Sequence, residues 1–230
     1  MLLLGLQKLT LLDYPGKLAC TVFTGGCDFR CPFCHNASLV EDFNTAQRLN
    51  EEDFFAFLEK RRGVLEGVCI TGGEPTLQPD LKDFIICIRE MGFLVKLDTN
   101  GNHPDVLKSL AESGLLDYVA MDIKNSPQKY GETAGNKNLD LSKIKESVEF
   151  LLQNNVDYEF RTTVVKELHT PQDIESAAKW IKGAKRYFLQ GFVDSGNLIC
   201  EGYSGYDKTS MESLCKLAKA YVDPTEIRGF

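Results

Sequence analysis

Residues 24–40 read TGGCDFRCPFCHNASLV. Three cysteines, Cys27, Cys31 and Cys34, fall within eight residues in the spacing C-x3-C-x2-C, and aromatic Phe33 precedes the last of them. Thiolates this close in the chain can converge on one inorganic centre. Three of them leave one iron of a four-iron cubane without a protein ligand, and an open iron is a place for a substrate or cofactor to bind. The spacing also admits a zinc knuckle or a disulfide pair. A structural zinc site takes four closed ligands, and His35, directly after Cys34, is too close in the chain to complete a tetrahedron easily. No signal-peptide pattern is read, which disfavours disulfides and sets a cytoplasmic expectation. Iron–sulfur and zinc stay open as readings of the spacing.

The flanking sequence places this stretch after a strand. Residues 2–12 alternate weakly and end at the turn signal Asp13-Tyr14-Pro15-Gly16, read as an exposed turn. Residues 18–24, LACTVFT, form an apolar, partly β-branched run, a buried strand that delivers Gly25-Gly26 and then the cysteines. Beyond them the pattern repeats. Strands are predicted at 67–71, 93–98, 117–123, 157–165 and 186–190, and helices at 50–62, 79–91, 103–113, 140–153, from Thr170 onward, and at 208–221. Asn50 is placed to cap the first helix, and Leu81, Phe84, Ile85 and Ile88 recur at helical spacing in the second. Strand and helix alternate about six times, which argues for a parallel sheet with right-handed crossovers. A closed eightfold barrel usually takes about 250 residues. Six units in 230 residues point instead to an α/β fold of the partial (βα)6, TIM-like barrel type, as one domain spanning 1–230.

Composition excludes some classes. A hydrophobic fraction of 43% and a charged fraction of 26% are those of an ordinary globule. Net charge −7 gives no basic footprint for nucleic acid, and no apolar run reaches the length of a membrane span. Cys20, Cys69, Cys87, Cys200 and Cys215 are scattered and read as small core residues. His103 and His169 stand alone at helix starts and are read as polar surface residues without a role.

The cysteine motif resembles the signature of radical S-adenosylmethionine (SAM) enzymes. Gly72-Gly73-Glu74-Pro75 resembles the GGE motif of that family, and Asp98-Thr99-Asn100-Gly101 and Met121-Asp122-Ile123-Lys124 resemble segments of its glycyl-radical activating enzymes. The opening LTLLDYPGKLACTVFTGGCDFRCPFCHN looks like the longer form of the anaerobic ribonucleotide reductase activating protein. The likeness runs over nearly the whole chain, with every motif in the expected order. It implies a [4Fe–4S] cluster held by Cys27, Cys31 and Cys34, with SAM on the open iron. The reduced cluster would cleave SAM to methionine and a 5′-deoxyadenosyl radical. The implied substrate is a glycine Cα–H of a partner glycyl-radical enzyme, an anaerobic ribonucleoside-triphosphate reductase, with a flavodoxin or ferredoxin as electron donor.

On that reading the motif residues acquire expected roles. Gly72 and Gly73 permit close backbone approach at a strand edge that can bind the SAM ammonium, and Glu74 contributes electrostatically. Asp122 and Lys124, two apart on a strand, share one face; Asp122 would accept from ribose hydroxyls, and Lys124 would pair with the SAM carboxylate or help hold the ribose. Asp98 and Asp122 would hold a monovalent cation beside that carboxylate. Thr99 and Asn100 are polar lining. Arg161 is a partner of the carboxylate or part of a buried ion pair. Gln190 would reach adenine or ribose, and Phe33 and His35 would contact adenine. The cysteine loop, the GGEP and DTNG segments, Asp122/Lys124 and Gln190-Gly191 all fall at predicted strand C-termini, where barrel-like folds collect catalytic groups. Three other functions compete: a small-molecule radical SAM enzyme such as 7-carboxy-7-deazaguanine synthase, an activase of a different glycyl-radical enzyme, and a non-enzymatic iron–sulfur or zinc module. Against the first, the chain has LTLLDYPGK where a TxQGEG type of segment is expected.

Overall fold

The computed structural model describes residues 1–194 and 196–229. Eight strands form one sheet in sequence order: β1 (Leu3–Thr10), β2 (Ala19–Thr24), β3 (Gly67–Gly72), β4 (Leu94–Thr99), β5 (Tyr118–Asp122), β6 (Asp157–Val164), β7 (Tyr187–Gly191) and β8 (Thr225–Arg228). β1 runs antiparallel to β2, and every other neighbouring pair is parallel. Among the described residues no ladder joins β8 back to β1, so the barrel is partial. The six expected βα units are β2 to β7, each with a following helix. The helices are α1 (Ala37–Val40), α2 (Glu51–Glu59), α3 (Leu81–Glu90), α4 (Pro104–Glu112), α5 (Tyr130–Thr133), α6 (Leu141–Leu152), α7 (Pro171–Trp180) and α8 (Lys208–Lys219). None is long and apolar enough to cross a membrane.

Period-2 alternation divides the sheet residues. Val22, Val68, Ile70, Val95, Leu97, Val119, Met121 and Phe160 point outward into the main core, where they meet the apolar stripes of the helices. Leu81, Phe84, Ile85 and Ile88 of α3 are all buried there, as their spacing predicts. The helix starts are fixed by caps. Asn50 accepts from Glu52 N–H at 3.0 Å, Asp140 from Ser142 N–H at 3.1 Å, and Thr170 and Asp173 form a reciprocal capping box. The concave face is different: Cys69, Lys96, Asp98, Tyr118, Asp122, Glu159 and Arg161 lie on it in successive register rows.

Four expectations change. β8 was not predicted; four residues, Thr-Glu-Ile-Arg, are too few to show a period, and the strand exists because the edge of β7 is there to pair with it. Tyr14 is buried, not exposed: its ring closes the base of the barrel against Tyr118, centroids 6.1 Å apart. Cys87 and Cys200 are exposed, whereas Cys20, Cys69 and Cys215 are buried. His169 is fully buried. Its Nδ1 accepts from Val165 N–H (3.0 Å) and its Nε2–H donates to the Lys124 carbonyl (2.8 Å), so it braces the chain at the end of β5.

Candidate active site

β2 ends at Thr24, and Gly25-Gly26 turn the chain into the cysteine loop. Backbone hydrogen bonds fix that loop from several sides. Gly26 N–H donates to the Leu39 carbonyl (2.7 Å) and Arg30 N–H to the Ala134 carbonyl (2.9 Å). From the end of β3, Gly73 N–H donates to Thr24 (2.9 Å) and Glu74 N–H to Gly26 (2.7 Å). This contact dictates the two glycines. Gly72 has φ +117°, and a Cβ on Gly73 would lie 1.9 Å from the Gly26 carbonyl oxygen. The close approach expected at Gly72-Gly73 is therefore to the cysteine loop itself.

Cys27, Cys31 and Cys34 line one cavity of about 230 Å³ at the C-terminal edge of the sheet. Phe33, His35, Gly72, Gly73, Glu74, Asp98, Thr99, Asn100, Asp122, Lys124, Arg161 and Gln190 line it too, so the structure brings every candidate to one place. All three thiols are free. Burial pushes the Cys27 thiol up to about 12 and that of Cys31 to about 11, so iron binding would displace their protons. The Phe29 N–H (3.4 Å) and the Asn100 amide (3.9 Å) point at the Cys27 sulfur, and such donors tune an iron–sulfur centre. The zinc reading lacks its fourth ligand, because His35 Nε2 is 2.7 Å from the Val193 carbonyl oxygen and its ring lies against Phe192. Among the described residues no three His, Cys, Asp or Glu side chains converge on a single-ion position. The donor set suits a multi-iron cluster better than one ion.

Beneath the cysteines runs a chain of alternating charge. Lys96 contacts Asp98 Oδ1, and Arg161 Nη1 donates to Asp98 Oδ2 at 3.0 Å. Arg161 Nε donates to Asp122 Oδ1 at 3.0 Å, and Lys124 Nζ to Asp122 Oδ2 at 3.0 Å. Burial opposes ionisation of both carboxyls, but the cations prevail: Asp122 is held at about 2 by Arg161 and Lys124, and Asp98 is also lowered. The same carboxylates hold Lys124 and Arg161 charged against their burial. Both readings of Arg161 meet here, since it lines the cavity and is ion-paired. Asp98 and Asp122, the carboxylates expected to hold a cation, are bridged by the Arg161 guanidinium. Three cations face two carboxylates, an excess of one positive charge that an amino-acid carboxylate would neutralise.

Glu74 departs from its expected role. Its Oε1 accepts from Thr76 N–H (3.1 Å), Thr76 Oγ1 (2.5 Å) and Thr99 Oγ1 (2.8 Å), and its Oε2 from Asn100 N–H (2.7 Å). The carboxylate is spent on fastening the DTNG segment to the GGEP turn. Asp28, which the sequence did not single out, does similar work. It accepts from Asn100 Nδ2 (2.8 Å) and Asn102 Nδ2 (2.6 Å), and His103 Nε2 lies 3.0 Å away. Despite burial, these donors lower its carboxyl to about 2, and Asp28 in turn raises His103. His103 thus belongs to the brace of the cysteine loop and is not an idle surface residue. The only hint in the sequence was an acid next to a cysteine, since its partners lie more than seventy residues away.

Comparison with known proteins agrees with this geometry. The radical SAM superfamily pattern matches residues 21–181, which contain the three cysteines, the end of β2 and every strand from β3 to β6. The chain belongs to the radical SAM superfamily. Its cofactors are accordingly a [4Fe–4S] cluster and SAM. A Methanocaldococcus jannaschii protein assigned as a glycyl-radical enzyme activating enzyme is 34% identical over 97% of this radical SAM enzyme and 94% of its own length. The 7-carboxy-7-deazaguanine synthase of Thermococcus kodakarensis is 25% identical over 76% of the chain and 74% of its own length. Streptococcus suis SuiB, solved with bound SAM, superposes with a TM-score of 0.67 at 16% identity, covering 89% of this chain and 48% of SuiB. That likeness establishes the partial-barrel fold.

Proposed function

We propose that residues 1–230 act as one radical SAM domain that activates a glycyl-radical enzyme, with an anaerobic ribonucleoside-triphosphate reductase as that partner. The observation that carries the activase reading is the 34% identity running end to end with an activating enzyme. The reductase is favoured by the opening segment Leu9 to Lys17, LTLLDYPGK. Cys27, Cys31 and Cys34 hold the cluster, which when reduced supplies the electron that cleaves SAM to methionine and a 5′-deoxyadenosyl radical.

The remaining residues bind and orient. Lys124 and Arg161 offer the positive excess to the SAM carboxylate. The strand edge at Gly72-Gly73 takes the ammonium, Asp122 and Gln190 lie within reach of the ribose and adenine, and Phe33 and His35 wall the adenine side. Thr99, Asn100 and Glu74 keep the loops in register and exclude water. The radical then takes a hydrogen atom from a glycine Cα of the partner, leaving 5′-deoxyadenosine and a glycyl radical. A flavodoxin or ferredoxin is the class of electron donor.

The test is anaerobic. Reconstituted, reduced protein is mixed with SAM and the anaerobic reductase from the same genome, and the electron paramagnetic resonance spectrum is recorded. A doublet on the reductase that vanishes when its C-terminal radical-site glycine is replaced is the expected result. Formation of 5′-deoxyadenosine with no partner radical would reject the reductase and favour a small-molecule substrate, the reaction class of the deazaguanine synthase relative.

A further inference from the structure

We infer that the Lys96 ammonium is a built-in counter-ion of the SAM site, standing where a dissolved monovalent cation would otherwise sit beside Asp98, so that SAM binding by this protein does not depend on Na⁺ or K⁺. The inference rests on reading the cavity above the charge chain as the SAM site.

Lys96 is on β4, two residues before Asp98 and on the same concave face, and it is only 1% exposed. Its ammonium contacts Asp98 Oδ1, lies 3.7 Å from the Cys69 sulfur and 6.0 Å from the centre of the Tyr118 ring. It does not line the cavity and so does not touch SAM. Its effect passes through Asp98 to Arg161. With Lys96 present, each of the four oxygens of Asp98 and Asp122 has one cationic donor. Without it, two cations would face two carboxylates, and the positive excess offered to an amino-acid carboxylate would be gone. Asp98 would then be a buried carboxylate whose Oδ1 keeps only the neutral Cys69 thiol, 3.7 Å away, the local chemistry that draws in a small cation.

Burying an ammonium is costly, and an apolar side chain of similar volume would serve packing at least as well. A lysine kept here, one residue beneath a ligand cavity, is explained by the charge it confers on that cavity. The side chain is tethered, so the charge is present at any salt composition. Lys96 is thus a positioning residue. It keeps Asp98 ionised and paired, and thereby holds the Arg161 guanidinium toward the cavity.

The experiment is equilibrium SAM binding to the reconstituted enzyme in KCl, NaCl or N-methylglucamine chloride at equal ionic strength. For the unaltered protein the Kd is expected to agree within about twofold across the three salts. Lys96→Met should bind about tenfold more weakly in N-methylglucamine and regain most of that in Na⁺ or K⁺. Lys96→Met/Asp98→Asn leaves Arg161 and Lys124 against Asp122 alone, so the positive excess returns and no buried carboxylate is left unpaired; it should bind SAM more tightly than Lys96→Met in N-methylglucamine and be indifferent to the cation. About tenfold tighter binding by the unaltered protein in K⁺ or Na⁺ would overturn the inference without recourse to any variant. So would unaltered affinity of Lys96→Met in N-methylglucamine. Failure of the unaltered enzyme to bind SAM in every salt would instead defeat the site reading, and the inference with it.

Discussion

The concave face of the sheet carries two polar networks, one buried and one partly open to solvent, and they are built differently. In the upper one, Lys96, Arg161 and Lys124 face Asp98 and Asp122, and one positive charge is left over at the cavity wall. In the lower one, Arg228 grips Glu159 through two hydrogen bonds of 2.7 and 2.9 Å, Tyr118 Oη donates to Glu159 at 2.8 Å, and Arg186 pairs with Asp157. Lys185 also reaches Asp157, at 3.3 Å, but the side chains of Lys185, Arg186 and Asp157 are 40%, 36% and 43% exposed, so water screens the cationic excess there. The Arg228 guanidinium also lies 3.3 Å from the centre of the Phe188 ring. A positive excess in contact with water is satisfied without a ligand. A buried one, next to a cavity, is completed by one. The same physics that makes a buried unpaired charge expensive therefore separates a structural region from a binding region within one barrel.

The largest expected effect lies just above the upper network. Cys31→Ala in the reconstituted protein should form no 5′-deoxyadenosine from SAM while its far-ultraviolet dichroism is unchanged; turnover at the unaltered rate would remove the cluster assignment. Next comes Arg161→Leu, which strips the donor shared by Asp98 and Asp122. SAM affinity should fall by roughly a hundredfold, and stability should fall too, by about 3 kcal/mol or more, because two buried carboxylates each lose a partner. Unchanged SAM affinity in calorimetric titration would erase the distinction between the two networks.

The lower network should respond in the opposite way. Arg228→Met leaves the Glu159 carboxylate, 1% exposed, without its bidentate partner. Urea denaturation should show a loss of about 3 kcal/mol, with SAM affinity of the folded protein unchanged. The pair Arg228→Met/Glu159→Leu should recover most of that stability, since exchanging a whole buried ion pair for apolar side chains is often close to neutral. A loss of SAM binding in Arg228→Met at temperatures where it is folded would show that the lower network is part of the site after all.

The two regions also differ in how far the sequence announced them. The convex face was readable because its signals are local: Leu81, Phe84, Ile85 and Ile88 are one helical stripe, and the strands alternate. The residues around the cavity were readable because each sits in a short motif at a strand end. What the sequence hides is pairing. Nothing in the order of residues says that Asp28 will meet Asn102 and His103, or that Glu159 will meet Arg228 on a strand too short to predict. These contacts join elements 69 to 75 residues apart and are set by sheet register. Lys96 lies between the two cases, since its spacing from Asp98 in FLVKLD already places both on one face. Tyr14 was hidden by its company: Pro-Gly signals a surface turn, while the ring beside it fills the barrel base.

The smallest effect concerns His169, which touches the upper network only through the Lys124 backbone. Burial lowers its pKa below the ordinary value of 6.5, although the backbone contacts at Lys124 and Val165 act the other way. The folded protein therefore holds it neutral. Below about pH 6.5 the unfolded chain binds a proton that the folded one refuses, so the stability contributed by His169 is complete above that pH. It is lost as pH falls from there through the lowered folded value. His103 has the opposite sign, because Asp28 raises its pKa; its contribution is present below pH 6.5 and fades as pH rises through the raised value. The net slope of the unaltered protein mixes the two, and the difference between the unaltered protein and His169→Gln isolates one. Glutamine can offer a donor and an acceptor but cannot take up the proton. Urea midpoints measured from pH 7.5 to 5.5 should fall less steeply for His169→Gln than for the unaltered protein. Parallel slopes would mean that His169 accepts its proton in the folded state. The carbonyl of Lys124 would then be held by an imidazolium, adding a second positive charge to a network whose binding capacity depends on having one.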